Sequence, residues 1–390
     1  MRRKAVREII AERVRLVPPS GIRRFFDLIA SMEGIISLGV GEPDFPTPWV
    51  IAEAGIRALE KGFTSYTSNY GLLELREEVA RYLERRFGVA YDPRAEILIT
   101  AGVSEGLDLA LRALVDPGDE VLIPDPSYVA YVPCTIFAGG VPVRVPTFPE
   151  DEFKLKASEI ERRISPRTKI LILNYPHNPT GTTLSLEDLL PIAELVEREG
   201  LLVISDEIYE KLTYDAEHIC FSSLPGMRER TVLLGGFSKS YAMTGWRIGY
   251  AAAPAEIIEA MMRIHQYTML CAPTIAQKAA IAALREGEEE AARMKEEFDR
   301  RRKLLVSGLN EIGLDCFEPK GAFYAFPSIR RTPFTAMEFA ERLLLEAKVV
   351  VVPGSAFGEC GEGHVRVCYA ASLAEIEEAL ERMYKFLRSI

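Results

Sequence analysis

From about residue 50 the apolar positions follow two alternating rhythms. Ile51–Lys61 and Leu73–Phe87 repeat apolar residues every three to four positions, which predicts amphipathic helices. Glu96–Thr100 is a short apolar run and predicts a strand. Ser104–Val115 returns to helical spacing and stops at Pro117-Gly118. Val121–Ile123, Val141–Val145 and Lys169–Leu173 read as further strands. After a predicted helix at Glu187–Glu199 come the strand-like runs Leu201–Ser205, Thr231–Leu234 and Arg247–Ala253. Buried apolar runs separated by helices argue for an α/β fold: a mostly parallel sheet covered by helices on both faces.

A charged stretch with helical spacing fills Pro254–Leu309, and then the pattern resets. Gly321–Phe326, Val349–Val352 and Val365–Tyr369 are strand-like, whereas Thr335–Glu346 and Ser372–Leu387 are helical. That mixture predicts a smaller α+β unit. The first 48 residues carry no strand–helix alternation of their own and are expected to pack with it. The expected plan is a large domain over 49–289 and a small domain from 1–48 and 290–390.

Composition narrows the function classes. With 390 residues the chain can bury a large core, and 48% hydrophobic with 27% charged residues is ordinary for a globular protein. The formal net charge of −10 argues against nucleic acid as a general partner, because phosphate contact wants a basic face. No apolar run approaches the roughly 20 residues of a membrane helix. The basic start MRRKAVREIIAERVR is interrupted by Glu8 and Glu12 and lacks an apolar leader core. Six scattered cysteines form no C-x-x-C pair, so no metal site is expected. Reduced thiols and a cytoplasmic location are expected.

Lysines are scarce, 13 against 34 arginines, so a lysine in an uncharged segment stands out. Lys239 is the only charged residue in Thr231–Trp246 (TVLLGGFSKSYAMTGW). A lysine with few neighbouring charges, partly removed from water, can lose its proton and become a nucleophile. Eight residues on, Arg247 carries a guanidinium suited to bidentate phosphate binding. Asp206 follows a buried apolar strand, where it either caps the next helix or pairs with a cation. Tyr209, three residues on, would share its face on a helical turn. Gly102-Val103-Ser104 opens a predicted helix and offers free amide N–H groups to an anion. The run Asn174–Gly181 (NYPHNPTG) is a rigid loop at a strand end and a mount for the Asn178 amide. Arg366, in VRVCY, shares a face with Cys368 and is either an exposed edge arginine or a carboxylate clamp.

A lysine nucleophile, an aspartate, a phosphate-binding arginine and a carboxylate clamp together suit pyridoxal 5′-phosphate (PLP). The motifs Gly41-Glu42-Pro43-Asp44-Phe45, Asn178-Pro179-Thr180-Gly181, Ser205-Asp206-Glu207-Ile208-Tyr209, Phe237-Ser238-Lys239, Met243-Thr244-Gly245-Trp246-Arg247, Gly321-Ala322-Phe323-Tyr324 and Val365-Arg366 extend over nearly the whole chain. In this order and spacing the chain resembles the fold-type I, class I/II PLP-dependent aminotransferases of the aspartate/aromatic aminotransferase superfamily.

The resemblance implies roles residue by residue. Lys239 matches the lysine that holds the cofactor and later shuttles a proton. Asp206 matches the partner of the ring nitrogen, and Asn178 and Tyr209 match donors to the phenolic oxygen. Tyr128, in Pro126-Ser127-Tyr128, matches the aromatic stacked on the ring. Gly102, Val103, Ser104, Ser238 and Arg247 match the phosphate cradle, and Tyr66 matches a tyrosine reaching it across a homodimer interface. Gly41, Asn178 and Arg366 match the substrate-carboxylate site.

Two positions depart from the pattern. Gly236 stands where many relatives have a phosphate-binding serine. Ser104 stands where some aspartate-specific relatives have a lysine for the distal carboxylate. The expected activity is therefore transfer of an amino group from an aromatic or broadly chosen L-amino acid to a 2-oxo acid such as 2-oxoglutarate. Apolar and aromatic residues such as Ile22, Phe25 and Tyr70 are expected to line a ring slot, with Arg23 a mobile partner for a second carboxylate. Aspartate aminotransfer and a same-fold PLP-dependent β-lyase are the alternatives. A PLP-sensing transcription regulator would need a basic DNA-binding domain, for which the 40 residues before Gly41 leave little room.

Overall fold

The computed structural model describes residues 9–18 and 32–390, and Ile22, Arg23 and Phe25 lie outside the described residues. Seven strands form the main sheet. Their spatial order is Ile97–Thr100, Gly249–Ala252, Thr231–Gly236, Leu202–Asp206, Thr168–Leu173, Glu120–Asp125 and Val141–Pro146. Gly249–Ala252 pairs antiparallel with both its neighbours, and the other pairs are parallel. The central strands are apolar and buried along their length, as strands covered on both faces must be. Helices Val103–Leu114 and Ala255–Thr268 pack on one face, against Ile172, Ile204, Val232 and Leu234. Helix Leu186–Glu199 packs on the opposite face, against Leu171 and Val203. This is the expected α/β architecture.

A second core gathers the chain after residue 290 around two short sheets. Ile36–Ser37 pairs in parallel with Val349–Val350. Val365–Cys368 sits between Val352–Pro353 and Tyr324–Ala325. The first 48 residues therefore do contribute a strand, one too short to produce a visible alternation. This core also takes Ile208, Tyr209, Leu212 and Ala242 from the loops of the main sheet. Helix Glu288–Glu311 runs across the expected division at 289/290.

Several sequence expectations change. The stretch 254–309 is three helices, Ala255–Thr268, Thr274–Glu286 and Glu288–Glu311, broken around Cys271-Ala272-Pro273 and at Gly287. Helix Tyr131–Ala138 was not expected, because YVPCTIFA has almost no polar positions to reveal a period. The helix expected at Thr335–Glu346 ends at Arg342 and continues as one wider π turn, Leu343–Ala347. Val349–Val352 splits into two strands that join different sheets. No helix follows Asp206: residues 208–211 form a turn, so Asp206 is not a helix cap and Tyr209 does not face it across a helical turn. The strand expected to begin at Arg247 begins at Gly249, and Arg247 lies in the left-handed region with φ 54°.

Asp125 joins the main sheet to the second core. Its carboxylate accepts from the amides of Glu359 and Cys360, each at 3.3 Å, and from Arg144. The amide of Ser127 donates to the Phe357 carbonyl at 2.9 Å. These bonds set the segment carrying Phe357 over the carboxyl ends of the central strands. Among the described residues no helix is long and apolar enough to cross a membrane.

Candidate active site

Parallel strands present their carboxyl ends along one edge of the sheet, and ligands bind there in open α/β folds. Five strands deliver site residues to that edge by simple continuation. Ile97–Thr100 leads to Gly102, Glu120–Asp125 to Tyr128, Thr168–Leu173 to Asn174 and Asn178, Leu202–Asp206 ends on Asp206, and Thr231–Gly236 leads to Lys239. Gly249–Ala252 runs the other way, so its amino end reaches the same edge and brings Arg247 with it. The second core closes the other side with Gly41, Tyr324, Phe357 and Arg366.

The result is a cavity of about 490 Å³. Of the expected residues, Gly41, Val103, Ser104, Tyr128 and Asn178 line it. So do Asp206, Tyr209, Ser238, Lys239, Arg247 and Arg366. Gly102 lies immediately behind the wall, where a Cβ would sit 2.6 Å from Nη2 of Arg247. Tyr66 is not in the cavity: it is 81% exposed. Tyr70, expected near the pocket, instead packs partly buried against the core under the main sheet.

Lys239 Nζ donates to the Gly41 carbonyl at 2.7 Å. Removal from water lowers its pKa to about 8, while the charge of Glu42 works in the opposite direction. Asp206 is 5% exposed. Burial raises its pKa to about 6, and its hydrogen bonds hold the rise in check. Tyr131 donates to its Oδ2 at 2.8 Å and the Ile208 amide to its Oδ1 at 3.3 Å. The Asn174 amide donates to the Asp206 backbone carbonyl at 2.9 Å. A fully apolar site would neutralise this carboxyl; these donors leave it ionised near pH 7.

Arg366 is 7% exposed, which removes the reading of an exposed edge arginine. Its Nη1 donates to Asn178 Oδ1 at 2.9 Å and its Nη2 to the Gly39 carbonyl at 2.8 Å. Its Nε is buried with no acceptor. A buried guanidinium nitrogen without an acceptor is costly; the guanidinium as a whole lines the cavity, where a carboxylate can pair with it.

At the other end of the cavity, helix Val103–Leu114 begins without a side-chain cap. Gly102 takes φ 79°, a conformation that suits glycine, and the first amides of the helix have no intrahelical acceptor. Arg247 lies against this turn, its Nη1 donating to the Thr244 carbonyl at 2.9 Å. Unpaired amides, a helix N-terminus and a guanidinium together form an anion seat.

Gly236 is a packing position. A Cβ there would meet Val103 and Ile208 at 3.1 Å and the Gly249 Cα at 3.3 Å. Tyr131 was not singled out by sequence patterns, and Tyr324 stood in a quoted motif without a role; both line the cavity. Tyr131 follows Tyr128 by three positions, a helical spacing, but its helix was invisible in the pattern.

A family model described as aminotransferase class I and II matches residues 33–383. The chain belongs to the class I and II aminotransferases. It is 52% identical to the putative aminotransferase YugH of Bacillus subtilis, over 97% of this chain and 98% of that one. It is 48% identical to an aspartate aminotransferase of Pyrococcus abyssi, with 97% and 98% covered. Among solved structures, an aromatic aminotransferase from Pyrococcus horikoshii superposes with a TM-score of 0.92 at 47% identity, covering 97% of this chain and 98% of that one. The aminotransferase thus has relatives named for both aspartate and aromatic substrates.

The lowered pKa of Lys239 gives a prediction for the ligand-free aminotransferase. Only the neutral amine reacts with an acylating reagent. With a pKa of about 8, about a quarter of Lys239 is neutral at pH 7.5, against about 0.1% of an ordinary lysine. Competitive labelling followed by peptide mass spectrometry should show Lys239 reactivity levelling off above pH 9. Surface lysines should keep rising. A Lys239 profile that parallels the surface lysines contradicts the assignment.

Proposed function

We propose that this aminotransferase uses PLP and moves an amino group from an aromatic or broadly chosen L-amino acid to a 2-oxo acid such as 2-oxoglutarate. The observation that carries the reading is the arrangement of the cavity's cations. Among the described lining residues Lys239, Arg247 and Arg366 are the only ones, and each has a separate task.

The residues fit the cofactor. The uncapped helix start at Gly102-Val103-Ser104, with Arg247 and Ser238, would hold its phosphate. Tyr128 would lie against the ring, Asp206 would keep a proton on the ring nitrogen, and Asn178 and Tyr209 would face the phenolic oxygen. When bound, PLP offers an aldehyde that an amino group can occupy and a protonated ring that draws electron density from the adjoining carbon. Lys239 Nζ would hold that aldehyde carbon, and as a neutral amine it would be placed to take the proton from the substrate Cα, helped by its lowered pKa. Arg366, with Gly41 and Asn178 beside it, would hold the substrate α-carboxylate through its guanidinium.

Among the described residues no fourth cation faces the cavity to hold a distal carboxylate, and position 104 is serine. Val40, Val129 and Phe357 in the wall favour an apolar or aromatic side chain. The names of the relatives include both substrate classes, so the pocket wall is the argument for the aromatic class.

A homodimer fits the surface. Tyr66 and Tyr267 are 81% and 86% exposed, and Trp49 is exposed with them. The Tyr66 segment is nonetheless pinned: the Thr274 hydroxyl donates to the Ser65 carbonyl at 2.8 Å and Asn69 to the Leu270 carbonyl at 2.8 Å. Exposed aromatics on a fixed segment suit a partner surface, and a second subunit would lend Tyr66 to its neighbour's phosphate seat.

Four outcomes test this. Borohydride reduction of the PLP-loaded protein should leave the pyridoxyl group on Lys239, and Asp206→Asn should cut turnover about a hundredfold or more while PLP still binds. A label on another lysine, or near-normal turnover of the Asp206 variant, overturns the roles. Sedimentation should find a dimer, and a fully active monomer defeats the shared site. A donor panel should favour phenylalanine or tyrosine. An aspartate preference above about tenfold in kcat/KM, about 1.4 kcal/mol of transition-state binding, sinks the aromatic assignment and leaves aminotransfer standing.

A further inference from the structure

Tyr324 is buried at 1% exposure between the groups that would handle the cofactor and those that would handle the substrate. Its hydroxyl lies 2.7 Å from the Tyr209 hydroxyl. The Arg366 guanidinium carbon stands 4.4 Å from the centroid of its ring and 4.9 Å from that of Phe357. Gly41 presses on the same hydroxyl, where a Cβ would collide with it, and the Gly41 carbonyl accepts from Lys239. One side chain thus touches the neighbours of three separate functions.

The backbone is bent to place it there. Ala322, two residues earlier, takes φ 56°, a conformation that costs a non-glycine residue free energy. Three hydrogen bonds hold it. The Tyr214 hydroxyl donates to the Ala322 carbonyl at 2.7 Å, the Tyr369 hydroxyl donates to it at 3.2 Å, and the Ala322 amide donates to Leu212. Strain fixed this firmly beside a cavity points to a side chain whose position matters.

We propose that Tyr324 is a positioning residue that couples the two halves of the site: its hydroxyl turns the Tyr209 proton toward the cofactor, and its ring seats Arg366 for the substrate carboxylate. This rests on the cofactor reading above. Among the described residues, Tyr209 and Tyr324 have only each other as hydroxyl partners. Two hydroxyls share one proton between them, so the pair has two polarities. An electron-rich phenolic oxygen in the cavity selects the one in which Tyr209 donates to it and Tyr324 donates to Tyr209. Donation from Tyr324 also polarises the Tyr209 O–H and makes it the stronger donor. The ring acts separately. Stacked against the guanidinium, it restrains the group's rotation where it lines the cavity.

Two variants of the PLP-loaded protein separate the two contributions. Tyr324→Phe keeps the ring and removes the hydroxyl. It should leave KM for the amino donor within about twofold. The pH midpoint of the bound cofactor's absorbance change should rise by about half a unit to one unit, the scale of one neutral hydrogen bond acting through a neighbour. Tyr324→Leu removes both and should also raise KM about tenfold. A Phe variant with the parent's midpoint overturns the hydroxyl half, and a Leu variant that folds with the parent's KM overturns the ring half. Should the Leu variant not fold, Tyr324→Met serves for the ring. A parent protein that takes up no PLP overturns the cofactor reading and this proposal with it. A parent that loads normally beside an unaltered Phe variant counts against Tyr324 alone.

Discussion

A carboxylate with almost no access to water ends the central strand, and the site is built around keeping it charged. Asp206 would become neutral in an apolar pocket. Tyr131 and the Ile208 amide supply the two hydrogen bonds that hold its pKa near 6, below neutral pH. That need explains why a helix as apolar as Tyr131–Ala138 carries a tyrosine at its start, packed edge-on to Tyr128. It also explains why the chain leaves the strand through turns: an open turn lets the Ile208 amide bend back to the carboxylate.

The reversed strand is the second constraint. Were Gly249–Ala252 parallel to its neighbours, Arg247 would lie at the opposite edge of the sheet, far from the uncapped helix start. Reversal places it beside Gly102, and small residues make the approach possible. A Cβ at Gly249 would lie 2.9 Å from the Gly102 carbonyl carbon and the Val103 nitrogen. Strand direction, glycine placement and the anion seat are therefore one arrangement.

The sequence made most of this legible because it concentrates in strand ends. Lys239 stood out since fifteen uncharged residues surround it, and the sheet followed from apolar runs of strand length. Arg366 was ambiguous, as four consecutive buried residues in Val365–Cys368 erase the alternation that would tell an inner face from an outer one. Tyr131 was hidden for the related reason that an all-apolar helix has no periodic signal. The coupling of Tyr209 to Tyr324 joins positions 115 residues apart and has no local signature. Pattern locates what one element determines; contacts between elements appear only in the fold.

Gly236 shows where the resemblance and the packing diverge. The missing serine reads from sequence as a lost phosphate contact, inviting a search for a substitute. In the fold, Val103, Ile208 and Gly249 close around the place a side chain would need. A side chain at 236 would need the Val103 and Ile208 methyl groups and the Gly249 backbone to give way by a few tenths of an ångström. In the proposed site, backbone amides and Arg247 carry the phosphate charge, and Ser238, one residue before the lysine, supplies the hydroxyl. The glycine thus lets three segments meet closely under the phosphate seat.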